Sequence, residues 1–206
     1  MPGREQKNSP TTKQQPDTEW KDYIRRAKLG DKEAIHWIID EYSQRLYTLF
    51  MRLLRNKEDA EDSLQETFIT MVQKLPSFRG DAHFYTWLYR IATNIGLMKL
   101  RSRQARGGRF AQLSDIDPEK VHAGEIPKWP DQPDMEVLQK ETKEILDKAI
   151  NLLSGPYRAV FILRDIEQFS IEETSKILGI TPANVKIRLR RARIFLRNLL
   201  GEQFRK

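Results

Sequence analysis

The cation-rich stretch TPANVKIRLRRARIFLRNLL, residues 181–200, has the residue types and spacing that point most directly to chemistry. It holds six lysines and arginines and no acid. At four- and three-residue steps its apolar side chains form one helical stripe: Val185, Leu189, Ala192, Leu196 and Leu199. Four cations step the same way along another face: Lys186, Arg190, Arg193 and Arg197. Such a face suits phosphate binding, although many charged helix faces are simply solvated.

Helix-capping signals place this basic helix in a helix-turn-helix. Ser170 precedes Ile-Glu-Glu, so its hydroxyl can accept from the amide of Glu173 while that carboxylate accepts from the Ser170 amide, which is a capping box. Gly179 can adopt the left-handed conformation that ends a helix. Thr181 then caps a new helix with Pro182 at its first position, where the missing amide hydrogen costs nothing. Two capped helices joined by a short glycine turn predict a helix-turn-helix, whose second helix enters the major groove of DNA.

The helix-turn-helix and the lack of acids for intrahelical pairing favour DNA binding over a solvated surface. We expect Asn184, Lys186 and Arg190 to reach base edges or nearby phosphates. The remaining expected contacts, to the sugar-phosphate backbone, come from Arg188, Arg191 and Arg193. Neutralising about five phosphates predicts that affinity falls with roughly the 4.5 power of salt concentration.

Charge is sorted by segment along this chain of 206 residues and net charge +7. Residues 99–109 carry five cations and no acid, and residues 182–206 carry eight cations and one acid; these blocks hold +5 and +7, which leaves −5 for the rest. Five acids face one lysine in residues 57–66, and seven face two lysines in residues 111–137. A polyanion accounts for the basic blocks, whereas the acidic helix needs another partner.

Composition argues against several classes of protein. Without cysteine the chain has no disulfide, thiolate nucleophile or cysteine-type zinc site. His36, His83 and His122 stand at no ligand spacing, and no phosphate-cradling glycine loop occurs, so we predict no catalytic residue, metal or cofactor and argue against an enzyme. No run of eighteen apolar residues and no signal-peptide core occur. We therefore expect a cytoplasmic protein with no membrane insertion.

The spacing of apolar residues predicts an all-α chain of two small helical domains joined by a flexible acidic linker. Residues 1–18 are polar and contain three prolines, which predicts a disordered tail. Helical spacing over residues 19–104 predicts a bundle. The spacing collapses over residues 105–134, where prolines and glycines accumulate, and resumes over residues 135–206 up to the helix-turn-helix.

The segment RGDAHFYTWLYRIATNIGLMKLRSR, residues 79–103, predicts a helix with two unlike faces. One stripe is most simply core: Phe84, Trp87, Leu88, Ile91 and Ile95. The other face carries Arg90, Asn94, Leu97 and Arg101. It leads into the basic block of residues 99–109, which has no acid of its own and which we treat as unpaired. Aromatic surfaces beside a cationic track are what single-stranded nucleic acid requires.

Three motifs in this order resemble the extracytoplasmic-function (ECF) class of bacterial sigma factors, sigma-E and sigma-W type. They are EDAEDSLQETFITMVQKL (58–75), SFRGDAHFYTWLYRIATN (77–94) and, after the acidic linker, LSGPYRAVFILRDIEQFSIEETSKILGITPANVKIRLRRAR (153–193). The resemblance spans about residues 20–200. It implies a region 2 domain and a region 4 domain with no other domain between them. The implied function is an alternative sigma factor that binds core RNA polymerase, recognises promoters and initiates transcription.

The resemblance also implies a partner for the acidic helix. In this class the corresponding helix docks on the coiled-coil clamp helices of the polymerase beta-prime subunit, and the matching positions here are Asp62, Gln65, Glu66 and Phe68. Without the resemblance, an acidic face of this kind is more often simply a solvated helix surface. The beta flap of the polymerase and an anti-sigma factor are further partners that the class implies. The linker resembles the segment that such sigmas thread toward the RNA exit channel.

A base-capturing site is implied for the first domain. Residues 77–83 and Asn94 match the elements that hold a base flipped from the nontemplate strand of the minus-ten element. Extrusion costs a few kcal/mol, so a pocket must return that free energy through stacking and hydrogen bonds. The candidates are Phe78, Arg79, His83, Arg90, Asn94 and Arg101. Phe78 could equally be a core residue. The terminal helix matches the reader of the minus-thirty-five element.

Departures from the class pattern leave the promoter sequence open. Ala183 and Asn184 stand where many relatives carry a Val-Gly-Thr type of turn, and Arg190 stands where aromatic residues or histidine are common. The alternative function is a stand-alone helix-turn-helix regulator that binds duplex DNA, usually as a dimer on a palindrome. Dependence of promoter binding on polymerase distinguishes the two.

Overall fold

The computed structural model describes residues 19–80, 83–105 and 146–203, and the regular secondary structure in this part of the chain is all helical. The helices are α1 (Glu19–Lys28), α2 (Lys32–Leu54), α3 (Lys57–Lys74), α4 (Phe84–Ala105), α5 (described over 146–152), α6 (Gly155–Phe161), α7 (Ile171–Leu178) and α8 (Pro182–Gln203). A 3₁₀ turn, Leu75–Ser77, follows α3, and a π-helical turn, Ile162–Ile166, follows α6. The predicted N-terminal tail and all but the first residue of the predicted linker lie outside the described residues.

Helices α1 to α4 form the predicted bundle. Asp31 caps α2 by accepting from the amides of Glu33 and Ala34, and Asn56 caps α3 by accepting from the amide of Asp59. Apolar residues at helical spacing along α2 are all buried: Leu46, Leu49, Phe50, Leu53 and Leu54. The amphipathic patterns therefore did locate this core.

Close packing between α2 and α4 depends on Gly96. A Cβ atom at Gly96 would lie 2.6 Å from the Cδ2 atom of Leu53, which is a steric clash. Glycine thus lets the backbone of α4 approach α2. This approach sets how α4 presents its other face to solvent.

The second half contains the predicted helix-turn-helix with its predicted caps. The Ser170 hydroxyl accepts from the Glu173 amide at 3.1 Å, and the Ser170 amide donates to the Glu173 carboxylate at 2.7 Å. Gly179 is left-handed with φ of 63°. The Thr181 hydroxyl accepts from the Asn184 amide at 3.2 Å at the start of α8. These contacts confirm the two helix boundaries that position α8.

The two halves pack against each other, which the sequence analysis did not predict. Phe169, just before α7, stacks on Tyr85 with ring centroids 4.7 Å apart and meets Tyr89 edge-on at 4.9 Å. Ile162 and Leu163 share a buried cluster with the residues of the first bundle. In the described residues one buried apolar cluster therefore spans both halves, while a second cluster lies within the second half.

A buried arginine ties the halves together. Arg158 of α6 is fully buried and donates to the backbone carbonyls of Leu53 at 2.7 Å, Asn151 at 2.8 Å and Leu153 at 2.7 Å. Leu53 belongs to the last turn of α2, where the carbonyl ends favour a positive charge. Burial, with a smaller contribution from nearby Arg55, lowers the pKa of Arg158 to about 10.

A carboxylate completes this contact. Glu167 accepts from the hydroxyl of Tyr89 at 3.0 Å and lies 3.7 Å from the guanidinium of Arg52. Burial raises the pKa of Glu167, and the hydrogen bond from Tyr89 opposes that shift. We call the set formed by Arg52, Tyr89, Arg158, Glu167 and Phe169 the junction.

Candidate functional site

The side of α8 that faces away from the core carries exposed cations, as the sequence analysis predicted. Val185, Leu189 and Ala192 are buried, as predicted, and fix the rotation of the helix. Each residue turns an α-helix by about 100°, so the side opposite this stripe carries Ala183, Asn184, Ile187, Arg190 and Arg191. All five are exposed. We call this set the outward face of α8.

The six predicted DNA contacts of α8 fall into three groups. Asn184, Lys186, Arg190 and Arg191 are exposed on the side away from the core. Arg188 is half-buried. Arg193 points back to the domain: its Nε donates to Asp165 Oδ2 at 2.9 Å, and this hydrogen bond raises the pKa of Arg193. Arg193 is thus the one of the six whose charge is paired with a carboxylate in the described structure.

An exposed apolar residue on this face escaped the sequence analysis. Ile187 is 48% exposed and is not among the predicted site residues. An apolar residue within a helical pattern is normally assigned to the core, so Ile187 was not considered as a surface residue. Its angular position, about 180° from Val185 and Leu189, is the signal that could have identified it.

The outward face of α4 carries the predicted minus-ten contacts. Arg90, Asn94 and Arg101 are all exposed on one side of the helix. Met98, which the sequence analysis did not select, lies on the same side with 65% of its surface exposed. Trp87 is half-buried next to this face, so the prediction that it is mainly core is only partly met.

The predicted base-capturing loop leads onto this face. Phe78 is half-buried and contacts Phe84 and Trp87, with ring centroids 5.7 and 5.0 Å away. Its carbonyl accepts from Lys28 Nζ at 2.7 Å, which anchors the loop to α1. Arg79 and His83 are exposed. Gly80 has φ of 82°, a conformation that favours glycine and turns the chain here.

A cavity of about 510 Å³ opens beside this loop. Its walls come from α1, the loop, the start of α4 and α7: Trp20, Lys21, Ile24, Phe78, Gly80, His83, Phe84, Thr86, Glu173 and Lys176. Three aromatic rings and several polar groups in one concave surface suit stacking and hydrogen bonding. The helix-turn-helix thus lines the same cavity as the loop.

The predicted basic block of residues 99–109 is partly paired, which corrects the sequence analysis. Lys99 Nζ lies 3.4 Å from Asp59 and 3.1 Å from Asp62, and the hydrogen bond to Asp62 raises the pKa of Lys99. Arg103 donates to Asp59 at 3.1 Å and to the carbonyl of Leu54 at 3.1 Å. The acidic helix thus neutralises part of the basic block because α3 packs on α4. Among the described members of the block, Arg101 remains on the outward face.

The outward face of α3 carries three of the four predicted docking residues. Asp62, Gln65 and Glu66 are exposed, and Asp62 keeps 67% of its side chain accessible despite its contact with Lys99. Phe68 differs because only 8% of it is exposed and it belongs to the core. Ile69 stands among the acids with 52% exposed, and the sequence analysis did not select it. This face therefore combines negative charge with an apolar centre.

Two other kinds of feature are absent from the described residues. Within the described ranges no cluster of three or more histidines, cysteines or acids could hold a metal ion. None of the helices described is both long and apolar enough to cross a bilayer.

The chain matches two protein families along its length. Residues 38–106 match Sigma-70 region 2, and residues 143–196 match Sigma-70, region 4. The second match covers the helix-turn-helix, and the first covers the outward faces of α3 and α4.

Curated relatives match over nearly their whole length. The ECF RNA polymerase sigma factor SigW of Bacillus subtilis is 33% identical over 179 residues, which are 87% of this chain and 95% of the relative. The ECF RNA polymerase sigma-E factor of Haemophilus influenzae is 31% identical over 175 residues, 85% of this chain and 92% of the relative.

Solved structures share the fold. CnrH, solved in complex with the cytosolic domain of CnrY, superposes with a TM-score of 0.61 at 21% identity, covering 88% of this chain and 96% of that one. The sigma factor RpoE of Bartonella quintana, solved with the anti-sigma factor NepR, gives 0.57 at 24% identity, covering 82% and 96%. The family matches and the curated relatives do not favour a stand-alone regulator. The chain belongs to the ECF class of sigma factors, the alternative sigma factors that direct RNA polymerase to promoters.

Proposed function

We propose that this sigma factor divides its contacts among three outward helix faces. The face of α3 binds the clamp helices of the polymerase beta-prime subunit, the face of α4 with its loop binds the minus-ten element, and the face of α8 binds the minus-thirty-five element. The observation that carries this assignment is the sign of the exposed charge, which is negative on α3 and positive on α4 and α8.

The docking proposal depends on the exposed side of α3. Asp62 and Glu66 supply negative charge, Gln65 supplies hydrogen-bonding groups, and Ile69 supplies apolar surface between them. Phe68 supports this face from the core. Interfaces of this composition, with an apolar centre and a charged rim, gain specificity and association rate from the charges and affinity from the buried centre.

The promoter proposal assigns different readouts to the two cationic faces. On α4, exposed Arg90 and Arg101 attract phosphates, and Asn94 offers donors and acceptors to an unstacked base. Phe78 and Trp87 provide rings at the end of this face for stacking. Arg79 and His83 flank the loop that leads there. Single-stranded DNA fits such a surface because aromatic rings stack on any base.

On α8 the duplex is read in the major groove. Asn184 and Arg190 reach base edges, because their amide and guanidinium groups match the hydrogen-bonding patterns of purines. Lys186, Arg188 and Arg191 contact phosphates. Arg193 contributes by holding α8 against Asp165 as well as by its charge. Two further partners complete the proposal: the beta flap of the polymerase for the region 4 half, and an anti-sigma factor, as in the complexes of CnrH and RpoE.

Charge reversal on α3 tests the docking assignment. The full-length Asp62→Arg, Glu66→Arg variant should bind purified core polymerase at least about tenfold more weakly, because two attractive contacts become repulsive. Competition against the wild-type chain in a fluorescence anisotropy assay measures this.

A matched control reverses two exposed acids on another helix, Glu33→Arg with Asp40→Arg on α2, at the same change in net charge. The control should bind polymerase within about twofold of the wild type. Full polymerase affinity in the α3 variant, or an equal loss in the control, would remove the docking assignment.

A further inference from the structure

An isoleucine occupies the centre of the outward face of α8. Ile187 is 48% exposed and lies about 180° around the helix from the buried Val185 and Leu189. Ala183, one turn earlier on the same side, is also exposed. The surface that α8 turns away from its domain thus has an apolar centre.

Hydrogen-bonding and cationic side chains border this centre on both sides. Residues three and four positions away are neighbours on a helix surface, so Asn184 and Arg191 lie on one side of Ile187 and Arg190 on the other. Lys186 extends the second side. Single exposed apolar residues are common on protein surfaces. Ile187 differs because its surroundings are complementary in charge to duplex DNA, which places it between the groups that would reach bases and phosphates.

The chemistry of the major groove provides a matching apolar group. Each base pair presents hydrogen-bonding atoms there, and thymine alone adds a 5-methyl group, which alanine and other apolar side chains contact. An isoleucine can neither donate nor accept a hydrogen bond. At the position that faces it, it would therefore leave the acceptor and donor atoms of G·C pairs unmatched and favour a methyl group.

We propose that Ile187, with Ala183 beside it, contacts the 5-methyl group of a thymine in the minus-thirty-five element and makes thymine the preferred base at that position. This deepens the proposed function, since it rests on α8 reading the minus-thirty-five duplex. It gives a partial promoter preference: a thymine on one strand, bordered by the pairs that Asn184 and Arg190 reach. The contact removes the isoleucine and the methyl group from water, and one methyl is worth about a fourfold change in binding.

Replacing thymine by uracil isolates this methyl group. Holoenzyme assembled from core polymerase and the full chain first selects duplexes from a library randomised over the minus-thirty-five segment. Each selected thymine is then replaced by deoxyuridine, which removes only the methyl. At one position the replacement should weaken binding by the wild-type holoenzyme about fourfold. The affinities of the Ile187→Ala holoenzyme for the thymine and deoxyuridine duplexes should agree within about twofold.

Two further variants separate the possible results. Leu152→Ala shortens a residue of similar exposure, 44%, outside α8 and should keep the fourfold discrimination. Arg190→Ala should weaken binding to every duplex if α8 reads DNA. The inference would be overturned if the Ile187→Ala holoenzyme still bound the thymine duplex fourfold more tightly than the deoxyuridine duplex, or if the wild type selected no thymine. In either case, weaker DNA binding by Arg190→Ala would still support α8 as the reader of the duplex. If neither Ile187→Ala nor Arg190→Ala changed DNA binding, the assignment of α8 to the minus-thirty-five element would fail as well.

Discussion

Arg158 in the junction and Arg190 on the outward face of α8 put the same side chain to opposite uses. Arg158 is fully buried, and backbone carbonyls from two helices accept its hydrogen bonds. Arg190 is exposed next to other cations. Burial costs a guanidinium its hydration, so a buried arginine persists only where fixed acceptors replace water. An exposed arginine keeps its hydration and stays available to a partner.

This difference separates residues that build the fold from residues that serve promoter binding. Substitutions in the junction should lower the stability of the fold, and they should affect DNA binding only as a consequence of that lost stability. Changes on the outward face of α8 should alter DNA binding and leave stability almost unchanged.

The largest expected effect on stability is that of Arg158→Ala. The substitution leaves the carbonyls of Leu53, Asn151 and Leu153 without this donor and opens a cavity, so we expect a loss of about 3 kcal/mol in the free energy of unfolding. Urea unfolding of the full chain measures it. Arg190→Ala is the matched control and should change the same free energy by less than about 0.5 kcal/mol. Equal effects of the two substitutions would erase the distinction drawn between them.

A smaller effect is expected from alkaline pH at Tyr85 and Tyr89, whose rings pack on Phe169 of the junction. Burial raises the pKa of Tyr85 and of Tyr89 above the ordinary value of 10. The unfolded chain loses these protons near pH 10 while the folded chain keeps them, so their contribution to stability is full below pH 10 and is lost as pH rises toward the folded values. Arg158 has a lowered pKa, so its titration above pH 10 changes the free energy of unfolding in the opposite direction. Its contribution is the same in all of the variants compared.

Tyr85→Phe removes one of these titrating groups. Its free energy of unfolding should fall less between pH 8 and pH 11 than that of the wild type, as measured by urea unfolding at each pH. Tyr157→Phe, on a half-buried ring of α6 outside the junction, is the control for loss of a hydroxyl. Parallel pH profiles for the wild type and Tyr85→Phe would contradict the assignment of a raised pKa to this ring.

The elements of the fold could be predicted because their signals are local. Ser170, Gly179 and Thr181 each act within one turn of the chain, and the caps they form are the ones expected. The stripe of Val185, Leu189 and Ala192 reflects a helix lying on one surface, so its burial also followed from spacing. The exposed faces of α4 and α8 are the complements of such stripes.

The junction could not be predicted because its members are far apart in sequence. Tyr89 and Glu167, whose hydrogen bond links the halves, are separated by the whole predicted linker and by α5 and α6. The apolar side chain of Phe169 indicates that this residue will be buried, but it does not indicate which helix will cover it. The pairing of Lys99 with Asp62 was missed for the same reason, since counting charge by segment cannot show that α3 and α4 are neighbours.

Run-off transcription by reconstituted holoenzyme tests most directly whether the exposed cations of α8 serve the promoter. The template is a promoter selected by the wild-type holoenzyme, and the comparison is with the Lys186→Ala, Arg190→Ala variant at matched thermal stability. We expect the variant to give at least about tenfold less transcript at physiological salt. The slope of log affinity against log salt should fall in magnitude by about one, because Lys186 is the phosphate contact of the pair. Transcript yield and salt slope equal to those of the wild type would contradict the account.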